Sequence, residues 1–212
     1  MIIKANPVLF KEKSLIHPLI RNFDKLVMLN YRDRARISEI IPILFEGKII
    51  FVNINSFIQN NKKLGSIIRK TVIENISGGS ITCIGGESFY YSLFRKFDKV
   101  SFYTNNELIY NDAIFNSKLY GIEVKSSVVD YNKVTEINSS NTLIINLSKL
   151  PLNLIQVINK TKFHNIIIIS CKHSDFWKKI VKLTNYKLIL RNKLIDTDIK
   201  YFITINRLIL KP

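Results

Sequence analysis

A cysteine at the end of an apolar run is the residue of this chain best placed to act as a nucleophile. Cys171 directly follows the run IIIIS at residues 166–170, which has the length and composition of a buried strand. Open α/β sheets place their chemistry just beyond the carboxyl ends of such strands. Lys172 and His173 follow the thiol, and positive charge beside a cysteine lowers its pKa. The alternative interpretation is a core cysteine, because free cysteines are among the most buried residues.

The elements around this cysteine alternate between two kinds of pattern. From residue 80 onward, strand-like runs (SITCIG, KVSFY, IEVKSSVVD, TLIINL, IIIIS) alternate with helical patterns (SFYYSLFRKF, ELIYNDAIFNSKLYG, LNLIQVINKT, HSDFWKKIVKLT). The chain closes with KLILRNKLI and YFITINRLIL, which have no helix between them. The alternation predicts an α/β fold with a mostly parallel sheet and helices on both faces. The final pair predicts an antiparallel edge at the C-terminal end of the sheet.

The paired glycines Gly78 and Gly79 separate this alternating region from a mixed one. Residues 1–56 are predicted to form an N-terminal extension with short strands, among them KLVMLNYRDRARISEI and GKIIFVNIN. Residues 57–212 are predicted to form the Rossmann-like domain. Its first helix spans residues 57–76, where apolar residues recur at helical spacing, and its basic face would carry Lys62, Lys63, Arg69 and Lys70.

The charge of the chain predicts contact with a polyanion. The 212 residues include 32 Lys and Arg against 16 Asp and Glu, which gives a formal net charge of +16. A coding bias toward AT-rich codons would also raise the lysine count, but it would not by itself double the cations over the anions. Any single cation is most simply a solvated surface charge. The polyanion would be either a nucleic acid or an acidic membrane face. The candidate nucleic-acid contacts are Arg32, Arg34, Arg36, Lys62, Lys63, Arg69, Lys70, Lys178, Lys179 and Lys182.

The cysteines and the hydropathy pattern argue against a disulfide-linked, zinc-binding, membrane-spanning or disordered protein. Cys83 and Cys171 give neither a disulfide framework nor a zinc-binding spacing, so we expect no metal site and a reducing compartment. The sequence contains no uninterrupted apolar segment of membrane-spanning length and no signal peptide, and a hydrophobic content of 47% excludes disorder. We therefore expect an intracellular protein, either mitochondrial and organelle-encoded or viral and cytoplasmic.

Several segments together resemble one enzyme family. YRDRARI at residues 31–37 and FVNIN at residues 51–55 are similar to the YRxRA and FxQxN segments of the RNA uracil-5-methyltransferases, which make 5-methyluridine. ITCIGGESF lies where that family has its glycine-rich loop, and the segment at 100–122 keeps Asp112, Ala113, Asn116 and Gly121. IINLSKLPL lies at the DPPRxGL motif, and ISCKHSDFW lies at the segment with the catalytic cysteine. The resemblance implies a class I methyltransferase fold, S-adenosylmethionine as cofactor and RNA as substrate.

The resemblance also assigns roles to residues, and several positions depart from the family pattern. Cys171 would attack carbon 6 of uracil, and Asn146 stands at the aspartate that orients the base, with Leu147 and Ser148 at the following prolines and Lys149 at the arginine. The cofactor positions fall on Asn53, Gly85, Gly86, Thr104 and Asn105, with Glu87 nearby. The acid that should bind the ribose hydroxyls is replaced by Thr104. The catalytic glutamate falls at Ile205, and Asp196 or Asp198 would have to substitute for it.

These departures leave three functions open. The first is a degenerate, non-catalytic methyltransferase-like protein, with no cofactor, that binds RNA as a component of a ribonucleoprotein such as an organelle ribosome or a viral assembly. The second is an active, divergent RNA uracil-5-methyltransferase that uses Cys171 and S-adenosylmethionine. The third is a regulatory subunit that docks on a catalytic partner through Phe176, Trp177 and the Phe89/Tyr90/Tyr91 cluster, although these aromatic residues are more simply core residues. We expect RNA and protein partners and no membrane.

Overall fold

The computed structural model describes residues 40–53, 55–56, 62–170, 178–196 and 201–211, and a seven-stranded sheet forms its centre. The first elements are β1 (Ile40–Phe45), β2 (Lys48–Asn53), α1 (Lys62–Asn75), β3 (Ser80–Ile84), a 3-10 helix (Gly86–Phe94), β4 (Lys99–Thr104) and α2 (Glu107–Leu119). The remaining elements are β5 (Val124–Val128), β6 (Thr142–Asn146), α3 (Leu152–Thr161), β7 (Asn165–Ser170), β8 (Tyr186–Asp196) and β9 (Tyr201–Leu210).

The strands of the large sheet follow the order β5-β4-β3-β6-β7-β9-β8. The strands from β3 to β7 are parallel, whereas β9 runs antiparallel to both β7 and β8. The predicted α/β sheet with an antiparallel C-terminal edge is therefore confirmed. The order reverses between β3 and β6, and ligands of open α/β sheets bind at the carboxyl ends of strands beside such a switch point. We call this side the carboxyl edge, and the opposite side the amino edge.

Both faces of the sheet are covered, because the parallel strands are apolar on both sides. On one face Ile81 and Cys83 of β3 join a core with α1, the 3-10 helix and residues of the β1–β2 hairpin. On the other face Ile84 joins a core with α3 and the segment at residues 131–137. Strands buried on both faces read as continuous hydrophobic runs, which is why the runs in β6 and β7 are recognisable in the sequence.

A short hairpin precedes the large sheet. β1 and β2 are joined by Glu46 and Gly47, which have φ values of 45° and 86°. Positive φ at both central residues is the geometry of the type I′ turn, whose twist suits a two-residue hairpin. The backbone of β2 is held by α2, since the Asn116 side chain accepts from the Phe51 N–H (2.9 Å) and donates to the Phe51 carbonyl (2.6 Å).

Several local predictions are confirmed and one is refined. The predicted helices and strands from GKIIFVNIN through IIIIS are present, and Gly121, with φ +64°, lies just beyond the end of α2 as expected of a helix breaker. The pattern SFYYSLFRKF forms a 3-10 helix instead of an α-helix, and its residues from Glu87 to Leu93 are all buried. The first five residues of HSDFWKKIVKLT, 173–177, lie outside the described residues. Residues 57–61 do so too, and the domain boundary at residue 57 therefore stays a prediction.

Candidate functional site

Four of the residues that the resemblance marks lie along the carboxyl edge of the sheet. Gly85 and Gly86 follow β3, Thr104 ends β4 and Asn146 ends β6. The structure brings two of them into contact, since a Cβ atom added to Gly86 would lie 2.9 Å from Cγ of Asn146. Cys171 would follow β7 at the same edge, but it lies outside the described residues. Its role as a nucleophile therefore stays a prediction.

The glycine turn packs against the chain itself. Gly85 is buried and has φ +70°, and a Cβ atom there would lie 2.4 Å from Cδ2 of Leu147 and 2.8 Å from the Asn146 carbonyl oxygen. The Gly85 N–H donates to the Tyr103 carbonyl (2.9 Å), and its own carbonyl accepts from Ser88. The backbone that a glycine-rich loop would offer to a ligand is thus used internally, and Leu147 occupies the space beside it.

The position of the ribose-binding acid is closed as well. Thr104 is completely buried, and its hydroxyl accepts from the Asn106 N–H (3.2 Å). Tyr131 lies over it, hydrogen-bonded to the Thr104 side chain and donating to the Tyr103 carbonyl (3.3 Å). Burial raises the pKa of Tyr131 to about 12, so the phenol stays protonated at neutral pH. Asn105 is exposed. Among the described residues of this edge, Thr104 therefore does not fit the ribose of S-adenosylmethionine, because its hydroxyl is buried and already bonded.

Glu87 and Arg69 form a buried ion pair beside the glycine turn. Nη2 of Arg69 lies 3.1 Å from Oε1 of Glu87, and the guanidinium carbon lies 4.5 Å from the centre of the Phe45 ring. Glu87 also lies in the first turn of the 3-10 helix, where a carboxylate complements the helix dipole. The prediction that Arg69 belongs to an exposed RNA-binding face is therefore wrong. Its spacing in α1 places it toward the core, where Glu87 compensates its charge.

Asn53, the predicted cofactor residue of the FVNIN segment, closes a local turn. Its side-chain oxygen accepts from the Asn55 N–H (2.9 Å), and its own N–H donates to the two carboxylate oxygens of Asp112 (2.9 and 3.0 Å). Ser56 also donates to Asp112. Burial raises the pKa of Asp112, and the Ser56 hydroxyl and the Asn53 N–H oppose that rise. The residues Asp112 and Asn116, which carry the resemblance in α2, hold the end of β2 in place.

No carboxylate reaches the edge from the described side chains of β9, where the family has its catalytic glutamate. Ile205 is 1% exposed, belongs to the core and pairs in register with Ile169 of β7. Its neighbours Thr204 and Asn206 are buried polar residues. Asp198 lies outside the described residues, and for Asp196 the structure describes the backbone alone. The second cysteine, Cys83, is completely buried in β3, and burial raises its pKa, so it does not serve as a nucleophile.

The other predicted RNA contacts fall into separate groups. Lys63 and Lys70 are exposed on α1, and Lys178 and Lys182 are exposed before β8, whereas Lys179 is half-buried. Arg32, Arg34 and Arg36 lie outside the described residues, as do Phe176, Trp177 and the side chain of Lys62. The proposed docking face of Phe89, Tyr90 and Tyr91 is wrong, because these rings are 1%, 3% and 0% exposed.

Two side chains that close the edge carry no clear signal in the sequence. Leu147 departs from a proline of the family pattern, but its contact with Gly85 depends on β3 and β6 being neighbours. Tyr131 lies in a segment without periodic pattern, so nothing in the sequence marks it as the cover of Thr104. Within the described ranges, no three His, Cys, Asp or Glu residues are grouped to hold a metal ion, and no helix is long and apolar enough to cross a membrane.

Comparison with solved structures identifies the fold. The chain is similar to a tRNA (uracil-54, C5)-methyltransferase of Pyrococcus abyssi in complex with S-adenosyl-L-homocysteine, with a TM-score of 0.68 and 21% identity over 81% of this chain and 44% of that chain. It is also similar to the M. jannaschii tRNA m1G37 methyltransferase (TM-score 0.62, 16% identity, 82% and 57% of the two chains). A third similar structure is M. jannaschii TYW2 in complex with AdoMet (TM-score 0.60, 13% identity, 82% and 87%).

These similarities confirm the class I methyltransferase fold that the sequence predicts. The chain spans 44% of the length of the Pyrococcus abyssi uracil-54 enzyme, so less than half of that protein has a counterpart here. No protein-family model and no curated protein matches the sequence.

Proposed function

We propose that this protein is a non-catalytic, methyltransferase-like RNA-binding protein that serves as a structural component of a ribonucleoprotein. The observation that carries this proposal is the closed carboxyl edge, where Leu147 packs onto Gly85 and Tyr131 covers Thr104. A methyltransferase of this fold needs that edge open, because ligands of open α/β sheets bind outside the carboxyl ends of the strands. At these two positions side chains of the same chain occupy the described part of the edge.

The chemistry of the edge supports the same conclusion. Attack on a uracil ring needs a thiolate, a polar group that orients the base, and a general base that removes the proton from carbon 5. The aligned position of that base holds Ile205, which lies in the core and pairs with Ile169. Asn146 has no ionisable group, so it is able to accept or donate a hydrogen bond but not to take a proton.

RNA is the proposed partner because of charge and of fold similarity. A net charge of +16 on 212 residues favours a phosphate backbone, whose neutralisation releases counterions. Two of the similar structures are named for their action on tRNA, although both belong to longer chains. An organelle ribosome or a viral assembly is the proposed setting, in which the closed edge would form a rigid scaffold and the cations would face the nucleic acid.

Calorimetry with S-adenosylmethionine tests the loss of catalysis, with S-adenosylhomocysteine as the second titrant. We expect no binding at millimolar concentrations of either compound. The same preparation should bind a labelled single-stranded RNA in fluorescence anisotropy, with an affinity that falls as salt rises. Micromolar binding of the cofactor would overturn the non-catalytic proposal, and absence of RNA binding at low salt would overturn the RNA-binding one.

The second candidate function is an active, divergent RNA uracil-5-methyltransferase. The contact between Asn146 and Gly86 favours it, because the base-orienting and cofactor positions of the family would have to meet at this point. Methyl transfer to a uracil-containing RNA that is abolished in Cys171→Ala would support this function. Cys83→Ala is the matched control, since the thiol of Cys83 is buried and its removal should leave the transfer intact. Absence of transfer by the wild-type protein would exclude this candidate.

A further inference from the structure

Three segments that are distant in the sequence are joined by hydrogen bonds at the amino edge of the sheet. The Asn159 side chain at the end of α3 donates to the Lys182 carbonyl (2.9 Å), and the Asn185 side chain donates back to the Asn159 carbonyl (3.2 Å). The Lys211 N–H, just beyond β9, donates to the Asn185 carbonyl (2.9 Å). The end of α3, the turn before β8 and the end of β9 therefore form one fixed surface.

This surface carries four lysines, Lys160, Lys162, Lys182 and Lys211, which we call the amino-edge patch. All four are exposed, and none forms an ion pair within the part of the chain that the structure describes. Lys211 is also oriented by its Nζ atom, which donates to the Thr184 carbonyl (2.7 Å). Residues 138–195 contain a single acidic residue, Asp175, so the sequence around the patch offers almost no compensating charge. Four cations carried by backbone segments that the same hydrogen bonds join favour a ligand with several negative charges.

The backbone at Lys162 adds an independent observation. Lys162 follows α3 in the left-handed region, with φ 57° and ψ 68°, at a helix end where glycine is the usual residue. This conformation strains a lysine, because its Cβ atom crowds the backbone there. A lysine thus stands at a position that glycine would occupy without strain. Its side chain adds an exposed cation to the patch.

We propose that the amino-edge patch binds the phosphodiester backbone of RNA, an inference that rests on the proposed RNA-binding function. The patch lies at the end of the sheet opposite to Gly85 and Gly86, so a strand length of roughly 17–20 Å separates the two sites. RNA held there is not presented to the carboxyl edge, which agrees with a structural role. The exposed hydroxyl of Thr184, two residues beyond Lys182, is able to donate a hydrogen bond to a phosphate oxygen.

The test compares two variants of the full chain in anisotropy titrations with a fluorescein-labelled single-stranded RNA of about 20 nucleotides. The patch variant changes Lys160, Lys162, Lys182 and Lys211 to Gln. The control variant changes four other exposed lysines that are not candidate RNA contacts, Lys96, Lys99, Lys118 and Lys125, to Gln, so the net charge falls equally in both. We expect the patch variant to bind at least tenfold more weakly. The slope of the logarithm of its binding constant against the logarithm of the salt concentration should become shallower by about 0.7 for each phosphate that the protein no longer neutralises.

The outcomes separate this inference from the function on which it rests. Equal weakening in the two variants would show that binding follows net charge, which overturns the patch while RNA binding stands. Absence of RNA binding by the wild-type protein would overturn the function itself. The alternative partner is an anionic membrane, because an exposed apolar side chain, Val181 (60% exposed), lies next to the cation of Lys182. A parallel titration with phosphatidylserine vesicles tests this alternative. Binding to vesicles that depends on the amino-edge patch, in the absence of RNA binding, would overturn the proposal. Circular dichroism spectra of both variants provide the control that they are folded.

Discussion

Leu147 lies so close to Gly85 that a methyl group on this glycine would come within 2.4 Å of the leucine Cδ2 atom. The two residues belong to the loops after β6 and β3, which are neighbours in the sheet. A glycine turn at a strand end usually serves the approach of a ligand. In this protein it allows the approach of another loop, so the Gly85 Cα atom packs against Leu147.

Substitution of Gly85 should measure this close approach. Gly85→Ala has to adopt φ +70° and to displace Leu147 and the Asn146 carbonyl, so we expect a decrease of about 3 kcal/mol in the free energy of unfolding. Gly121→Ala is the matched control, because Gly121 has φ +64° and no atom within 4 Å of the added Cβ. Strain alone should lower its stability by only about 1 kcal/mol. Equal decreases in the free energy of unfolding of the two variants, measured by urea denaturation, would contradict the packing of Leu147 onto the turn.

The buried ion pair between Arg69 and Glu87 predicts that substitution of Arg69 strongly lowers the stability of the protein. Arg69→Ala removes the guanidinium that compensates the buried Glu87 carboxylate and also the packing against the Phe45 ring, so we expect a decrease of about 3–5 kcal/mol in unfolding free energy. The exposed neighbour Lys70 provides the control, since Lys70→Ala should change stability by less than about 0.5 kcal/mol. The double variant Arg69→Met with Glu87→Gln should recover part of the stability, because no unpaired charge remains. Chemical denaturation of the wild type, of the two single variants and of the double variant measures these differences. A loss in Arg69→Ala no larger than that in Lys70→Ala would contradict the ion pair.

The bond between Asn116 and Phe51 predicts that α2 holds the β2 strand. Asn116→Ala leaves the N–H and the carbonyl of Phe51 without this partner in a buried site, which should cost about 1–3 kcal/mol. Asn111→Ala, on the exposed side of the same helix, should stay within about 0.5 kcal/mol of the wild type. Hydrogen exchange checks the location of the effect. Protection of the Phe51 amide should fall in Asn116→Ala, and unchanged protection would refute the clamp.

The pattern of apolar residues in the sequence is sufficient to predict the sheet, but it does not predict which side chains pack at its carboxyl edge. Continuous apolar runs such as residues 166–170 identify buried parallel strands, and the absence of a helix between β8 and β9 identifies the antiparallel edge. The positions of Gly85 and Asn146 at strand ends follow from the same pattern. That Leu147 fills the space beside Gly85 depends on how two loops approach each other, which no local periodicity records.

The exposure of cations is harder to predict than the total charge. Lys70 and Arg69 are adjacent in α1, yet one is exposed and the other is 7% exposed and paired with Glu87. Burial of a guanidinium depends on the presence of a carboxylate in the core, and the partner lies 18 residues away in the next helix. A helical projection alone therefore assigns Arg69 to the wrong side.

The raised pKa of Asp112 predicts a dependence of stability on pH. Burial is the main cause of the rise, and a carboxyl group whose pKa is higher in the folded state stabilises the fold in its protonated form. That contribution is present below the usual value of 3.8 and disappears as the pH rises through the raised value. The wild type should therefore lose stability relative to Asp112→Asn as the pH rises from 3.8 through the raised pKa of Asp112. A difference that is constant across a pH series of urea unfolding would contradict this assignment.

Strain and charge at Lys162 can be separated by two substitutions at the same position. Lys162→Gly and Lys162→Gln both remove the cation, so both should weaken RNA binding by the same factor if the amino-edge patch is the RNA site. Only glycine relieves the left-handed conformation at φ 57°, and we therefore expect the Gly variant to be more stable than the Gln variant by about 1 kcal/mol in unfolding free energy. Anisotropy titrations and urea unfolding of the two proteins measure both quantities. Weaker RNA binding in a variant that is at least as stable as the wild type would show that the lysine is retained for its charge, and unchanged binding in both variants would remove Lys162 from the patch.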